Sequence, residues 1–204
     1  KQLRAERGKY NGKDYSMVVL RKVILYPLEA GAKTIEPFKI DLDAEVPTGR
    51  RDWFGEYEMR VIEKSLSTGT QTINVKPLPE NGKPESFTGA VGKFDFKVIP
   101  SKTSLKAGES LDLEVSVSGK GNLKLFTLPK PVVPSALEMY EPSHTENVQT
   151  PLTGMVGKVS DKYTIIPQFK GKYTIKPMEF SYYDLTSKSY KTITSKEITI
   201  DVAE

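Results

Sequence analysis

At 204 residues, with 27% charged and 37% hydrophobic side chains, the chain has a globular composition and the length for two cores of about 100 residues each. Its 30 basic and 26 acidic residues interleave without a long block of one sign, which excludes the concentrated basic stripe of a nucleic-acid binder. The absence of cysteine excludes disulfide staples, thiol catalysis and cysteine metal sites, and no apolar run approaches the roughly 18 residues of a spanning helix.

The chain starts at Lys1 without an initiator Met or an apolar leader and reads as an excerpt of a longer protein. Asn11-Gly12 between strand-like flanks predicts a type I′ hairpin, followed by a strand from Tyr15 to Tyr26. Pro27 ends that strand, Gly31 supplies a turn, and Thr34 to Leu42 resumes as strand with Phe38, Ile40 and Leu42 on one face and Asp41 and Asp43 outward. The spacing Pro-x-x-x-Gly-x-x-Thr-Ile-x-Pro of Pro27, Gly31, Thr34, Ile35 and Pro37 recurs 140 residues later at Pro167, Gly171, Thr174, Ile175 and Pro177. Two copies of one structural unit follow from that match.

A loop is expected from Val46 to Gly55, and it holds the only Trp. Strands return at Met59-Arg60-Val61 and Gln71 to Val75, and the prolines and glycine between Lys76 and Pro84 mark a domain boundary. Beyond it, Phe94, Phe96 and Val98 alternate with charged residues, Lys106 to Glu109 turns, and Leu111, Leu113, Val115 and Val117 give a half-buried strand that turns at Gly119 to Asn122. A proline-rich passage through Pro142 reads as irregular chain or edge strand, and Tyr163 to Ile166, Phe180 to Asp184 and Ile198 to Val202 close the pattern. With strands recurring at intervals of roughly 10 residues and no sustained helical period, the fold class is all-β, two tandem immunoglobulin-like or fibronectin-III-like sandwiches. The expected division is residues 1–78 as a first sandwich lacking its leading strands, 79–92 as a Pro/Gly-rich linker, and 93–204 as a second sandwich.

The residues suggest no catalytic constellation. His144, the only histidine, lies in the loop-like run Pro142 to Glu146 with no nucleophile motif beside it. One His without Cys cannot assemble a zinc site, Asp41, Asp43 and Glu45 show the ordinary alternation of an exposed strand face, and the glycine pairs 89/92 and 119/121 read as turns. No metal and no cofactor are expected, and the chain reads as non-enzymatic. Arg50, Arg51, Trp53 and Phe54 in one loop form the candidate partner-binding site, a composition enriched at interface hot spots. Trp53 and Phe54 equally suit a plug at the end of a sandwich core.

The motifs Gly89-Ala90-Val91-Gly92-x-Phe94, Gly108-Glu109, Gly119-x-Gly121-Asn122-Leu123, Pro129, Tyr140-x-Pro142, Tyr163-x-x-Ile166-Pro167, Gly171-x-Tyr173-x-Ile175-x-Pro177 and Phe180-x-Tyr182-Tyr183-Asp184 resemble the BatD family of bacterial oxygen-tolerance proteins. The preceding Lys76-Pro77-Leu78-Pro79 with Pro84 and Phe87 resembles the same family's interdomain signature. The resemblance implies an exported envelope protein with immunoglobulin-like domains facing the periplasm and an inner-membrane anchor outside this stretch. It further implies a scaffold or assembly role beside von Willebrand A-domain membrane proteins and a MoxR-type ATPase, with no enzymatic residues to carry over. The competing expectation is a carbohydrate-binding or adhesin-like module in which Trp53, Tyr182 and Tyr183 stack on sugar rings.

Overall fold

The computed structural model describes residues 4–204 and is all-β, with sixteen strands and no helix among the described residues. The chain divides into two compact units, a larger one formed by the segment up to Tyr26 together with Pro79–Glu204, and a smaller one, Pro27–Leu78. Asn11 and Gly12, at φ 50° and 78°, close the antiparallel hairpin of β1 (Ala5–Tyr10) and β2 (Lys13–Val18), the turn that dipeptide predicts. The strand expected to run on to Tyr26 stops at Val18. Residues 19–26 pair with no strand among the described residues, and Val19, Leu20, Val23 and Leu25 are exposed. A β-prone sequence becomes strand only where a neighbour takes its backbone hydrogen bonds. Tyr26 is tied down nonetheless: its hydroxyl accepts the Met155 N–H at 2.6 Å and its ring packs on the larger unit's core.

The smaller unit contains β3 (Gly31–Ile35), β4 (Lys39–Arg51), β5 (Tyr57–Ser67) and β6 (Gln71–Val75), with β3 on β6 and β4 on β5, both antiparallel. The single strand expected from Thr34 to Leu42 is two, split around Pro37, which has no N–H to give to a ladder. Along β4, Ile40, Leu42, Ala44 and Val46 are half-buried while Asp41, Asp43 and Glu45 are exposed, so the period-two alternation holds. None of the residues 27–78 is fully buried.

The larger unit continues with β7 (Phe87–Pro100), β8 (Ser104–Lys106), β9 (Leu111–Gly121), β10 (Leu137–Met139), β11 (Ser143–Gln149), β12 (Val156–Pro167), β13 (Gly171–Ile175), β14 (Glu179–Asp184), β15 (Ser189–Thr194) and β16 (Ile198–Ala203). A seven-stranded sheet, ordered β10-β12-β9-β7-β14-β15 with β11 also on β12, faces a three-stranded sheet, β13-β16-β8. Both sheets feed one core, Leu111, Leu113, Val115, Val117, Ile165 and Phe180 from one and Leu105, Ile175, Ile198, Ile200 and Val202 from the other, so this unit is a β-sandwich. The linker expected over 79–92 is shorter, because residues 87–92 open β7 and Ala90 is buried in the core. Gly119 and Gly121 lie in β9 and Gly89 and Gly92 in β7, not in turns. A Cβ on Gly119 would stand 2.2 Å from the Lys93 carbonyl oxygen, so close approach of the two strands demands glycine there.

The repeat read from sequence extends to topology. β13 pairs with β16 and β14 with β15, the arrangement that β3, β6, β4 and β5 adopt in the smaller unit. Gly31 and Gly171 open equivalent strands at positive φ, 108° and 155°, and pair with Val75 and Val202. A hydroxyl clamp recurs as well: Phe38 N–H donates to Thr68 Oγ1 at 2.9 Å, and Met178 N–H to Ser195 Oγ at 2.8 Å. The copies differ in the central hairpin, where β4 and β5 span 13 and 11 residues and β14 and β15 six each.

Candidate functional site

The lengthened β4–β5 hairpin carries the sequence-predicted residues to its tip. Strand structure runs further than the loop expected from Val46 to Gly55, since β4 continues through Arg51, across a register irregularity between Pro47 and Arg51. Only the chain between Arg51 and Tyr57 turns. Asp52 builds that turn: its Oδ1 accepts the N–H groups of Phe54 and Glu56, each at 2.9 Å, its carbonyl accepts the Gly55 N–H at 3.0 Å, and its own N–H donates to the Glu56 carbonyl at 2.8 Å. An aspartate closing such a ring supplies backbone partners that a projecting loop otherwise takes from water.

Arg51 braces the same turn. Its guanidinium lies 4.6 Å from the centre of the Tyr57 ring and donates to the Gly55 carbonyl at 3.3 Å and the Tyr57 hydroxyl at 3.1 Å. At Arg50 the backbone N–H donates to Thr48 Oγ1 at 3.3 Å, and the residue is exposed. The core-plug alternative for the two aromatic residues is removed, because Trp53 is 95% and Phe54 88% exposed. Two large apolar rings, presented by a turn whose backbone is satisfied internally, suit burial against another molecule at little ordering cost. Of the four predicted residues, Trp53 and Phe54 are the exposed rings of the tip, Arg50 stands beside them, and Arg51 holds the turn. The sequence reading missed Asp52 and Tyr57; the signal available was an aspartate three residues before a glycine in a hairpin.

Other candidates resolve differently. Tyr182 and Tyr183 are buried, Tyr182 among Phe94 and Phe180 and Tyr183 edge-on to Tyr190, so the sugar-stacking row expected with Trp53 does not form. His144 lies in β11 and not in a loop: its Nδ1 is 2.6 Å from Asp161 and its Nε2 3.5 Å from Glu146. The hydrogen bond to Asp161 raises its pKa above the usual histidine value, partial burial opposes that, and both carboxylates add attraction for the proton. Asp41, Asp43 and Glu45 remain a solvent-facing row, with Asp43 across from Glu63 and Asp41 bonded to the Ser65 hydroxyl. No group of three or more metal-ligating side chains converges among the described residues.

No curated protein matches the chain in sequence. The family model described as the BatD DUF11 like domain matches residues 98–202, slightly more than half of the chain and nearly all of the sandwich core, while the Trp53 hairpin lies outside it. On that match the chain belongs to the BatD family.

Proposed function

We propose that the chain is a non-enzymatic protein-interaction module of a bacterial envelope complex associated with oxygen tolerance, held at the periplasmic face by an anchor outside these residues. Its partners on this reading are envelope proteins with von Willebrand A domains, working beside a MoxR-type ATPase. The observation that carries the reading is the pinned hairpin tip, which holds an indole and a phenyl ring almost fully in water. Such exposure is unfavourable by the hydrophobic effect unless a partner covers it, and aromatic residues with a neighbouring arginine are the residue types that dominate interface energies. The family membership supports the envelope setting.

The test is the affinity of the chain for the von Willebrand A-domain protein of the same envelope, measured by calorimetry. Trp53→Ala is expected to weaken binding by at least about thirtyfold, corresponding to ~2 kcal/mol at a hot spot. The melting temperature should not change. Wild-type affinity in the variant, or no binding by the wild type, overturns this assignment of site and partner.

A further inference from the structure

The far half of the β4–β5 hairpin has no counterpart in the other copy of the repeat. Lys39 pairs with Ser67 and Ala44 with Ile62, as Glu179 pairs with Thr194 and Asp184 with Ser189. Residues 45–61 therefore stand where the larger unit has only the turn 185–188, and that turn is itself uncovered, with Leu185 64% exposed. Even the copy with a closed core covers nothing at this level, so the exposure of the extension is a property of the hairpin.

Below the tip its apolar side chains share one face. Successive strand residues alternate, so Tyr57, Met59 and Val61 point the same way from β5, and they are 55%, 51% and 62% exposed. Directly across on β4, Arg51 faces Tyr57, Pro47 faces Met59 and Glu45 faces Val61. The opposite face of the same stretch carries Glu58 and Arg60. Trp53 and Phe54 thus head an apolar strip that continues about 13 Å down the hairpin from Tyr57 to Val61. Its two ends have opposite charges. The Arg51 guanidinium lies on the Tyr57 ring at the tip end with donors to spare, and the exposed Glu45 carboxylate stands beside Val61 at the other.

We propose that the partner is a protein that receives this strip in an elongated apolar groove, with an acidic group at the end that takes the tip and a basic group at the end that meets Glu45. The inference rests on the reading of the Trp53 tip as a protein-binding site and adds the chemistry of the partner to it. A pocket for the two tip rings alone would leave Tyr57, Met59 and Val61 in water, whereas a groove covers the whole strip and keeps Glu58 and Arg60 at its solvated rim. Charge selects protein over lipid: Asp52, Glu56 and Glu58 are exposed within the tip and next to it, and carboxylates carried into a bilayer with the rings are strongly unfavourable. The unlike ends fix the direction of the hairpin, because reversing it sets like charges together.

The test places photo-reactive benzoyl-phenylalanine, one position at a time, at 53, 57, 58, 59, 60 and 61 of the chain in its native envelope. Positions 57, 59 and 61 are expected to give the same protein adduct as position 53, with yields at 58 and 60 lower by at least about fivefold, the period of a strand covered on one face. Glu45→Lys should weaken calorimetric affinity for that protein by about fivefold, and Arg60→Glu, on the other face, should leave it unchanged. Both substitutions are at exposed positions and should keep the wild-type melting temperature. An adduct at 53 with none at 57, 59 and 61, equal yields along β5, or equal losses of affinity for the two charge variants overturns the groove and leaves the Trp53 contact standing. No protein adduct at 53 overturns both. Adducts to lipid, or to a second copy of the chain, identify a different occupant and overturn the proposal as well.

Discussion

Truncating one isoleucine in each copy of the repeat separates a core from a half-covered face. Ile200 lies in β16 with no exposed surface, between the two sheets of the larger unit; Ile73 holds the same register position in β6, across from Lys33 as Ile200 is across from Tyr173, and is half exposed. Ile200→Ala removes buried carbon atoms and leaves a cavity, a change that costs about 2–5 kcal/mol in close-packed cores. Ile73→Ala removes atoms already in contact with water and should cost about 0.5–1 kcal/mol, in the range of partly exposed sites. Urea unfolding of the full chain, read by amide resonances assigned to each unit, reports both values under one set of conditions. Equal costs at the two positions, or a larger cost for Ile73→Ala, would refute the claim that only the larger unit owns a closed core.

Gly171→Val should destabilise the sandwich by about 1–3 kcal/mol, since position 171 has φ 155° and a Cβ would come within 3.3 Å of the Tyr173 hydroxyl; a thermal melt coinciding with wild type would count against it. Tyr26→Phe leaves the Met155 N–H without its acceptor and should cost about 1–2 kcal/mol in the same melt, with the N-terminal segment exchanging its amides faster. His144 binds its proton more tightly folded than unfolded, so the stability it gives is fully present below the unfolded pKa near 6.5 and is lost as pH rises through the higher folded value. The advantage of wild type over His144→Gln should therefore shrink as pH rises above about 6.5, and an advantage that grows with rising pH there contradicts the assigned contacts.

The all-β class and the repeat were legible because turn chemistry and period-two alternation are local properties. Pro27, Gly31 and Pro37 punctuate the chain wherever it goes, and Leu111 to Val117 alternate because one face meets the core. Strands whose sequence is polar were not legible. β11 (SHTENVQ) and β15 (SYKTIT) lie at sheet edges, where pairing with β12 and β14 and not burial makes them strand. The opposite error arose at residues 19–26, where an apolar run without a neighbouring strand stays unpaired. Of the site, the residue types were readable and the direction of the rings was not, because a Trp in a loop plugs a core or projects according to the length of the strands beneath it. The extension of β4 and β5 relative to β14 and β15 decides the question here, and the Asp52 ring fixes the tip.

The most direct test of the interaction role places a photo-reactive benzoyl-phenylalanine at position 53 of the chain in its native cell envelope. A crosslink to one envelope protein carrying a von Willebrand A domain is expected, suppressed by excess wild-type chain and not by excess Trp53→Ala. Crosslinks to lipid alone, or a yield that both competitors suppress equally, would contradict it.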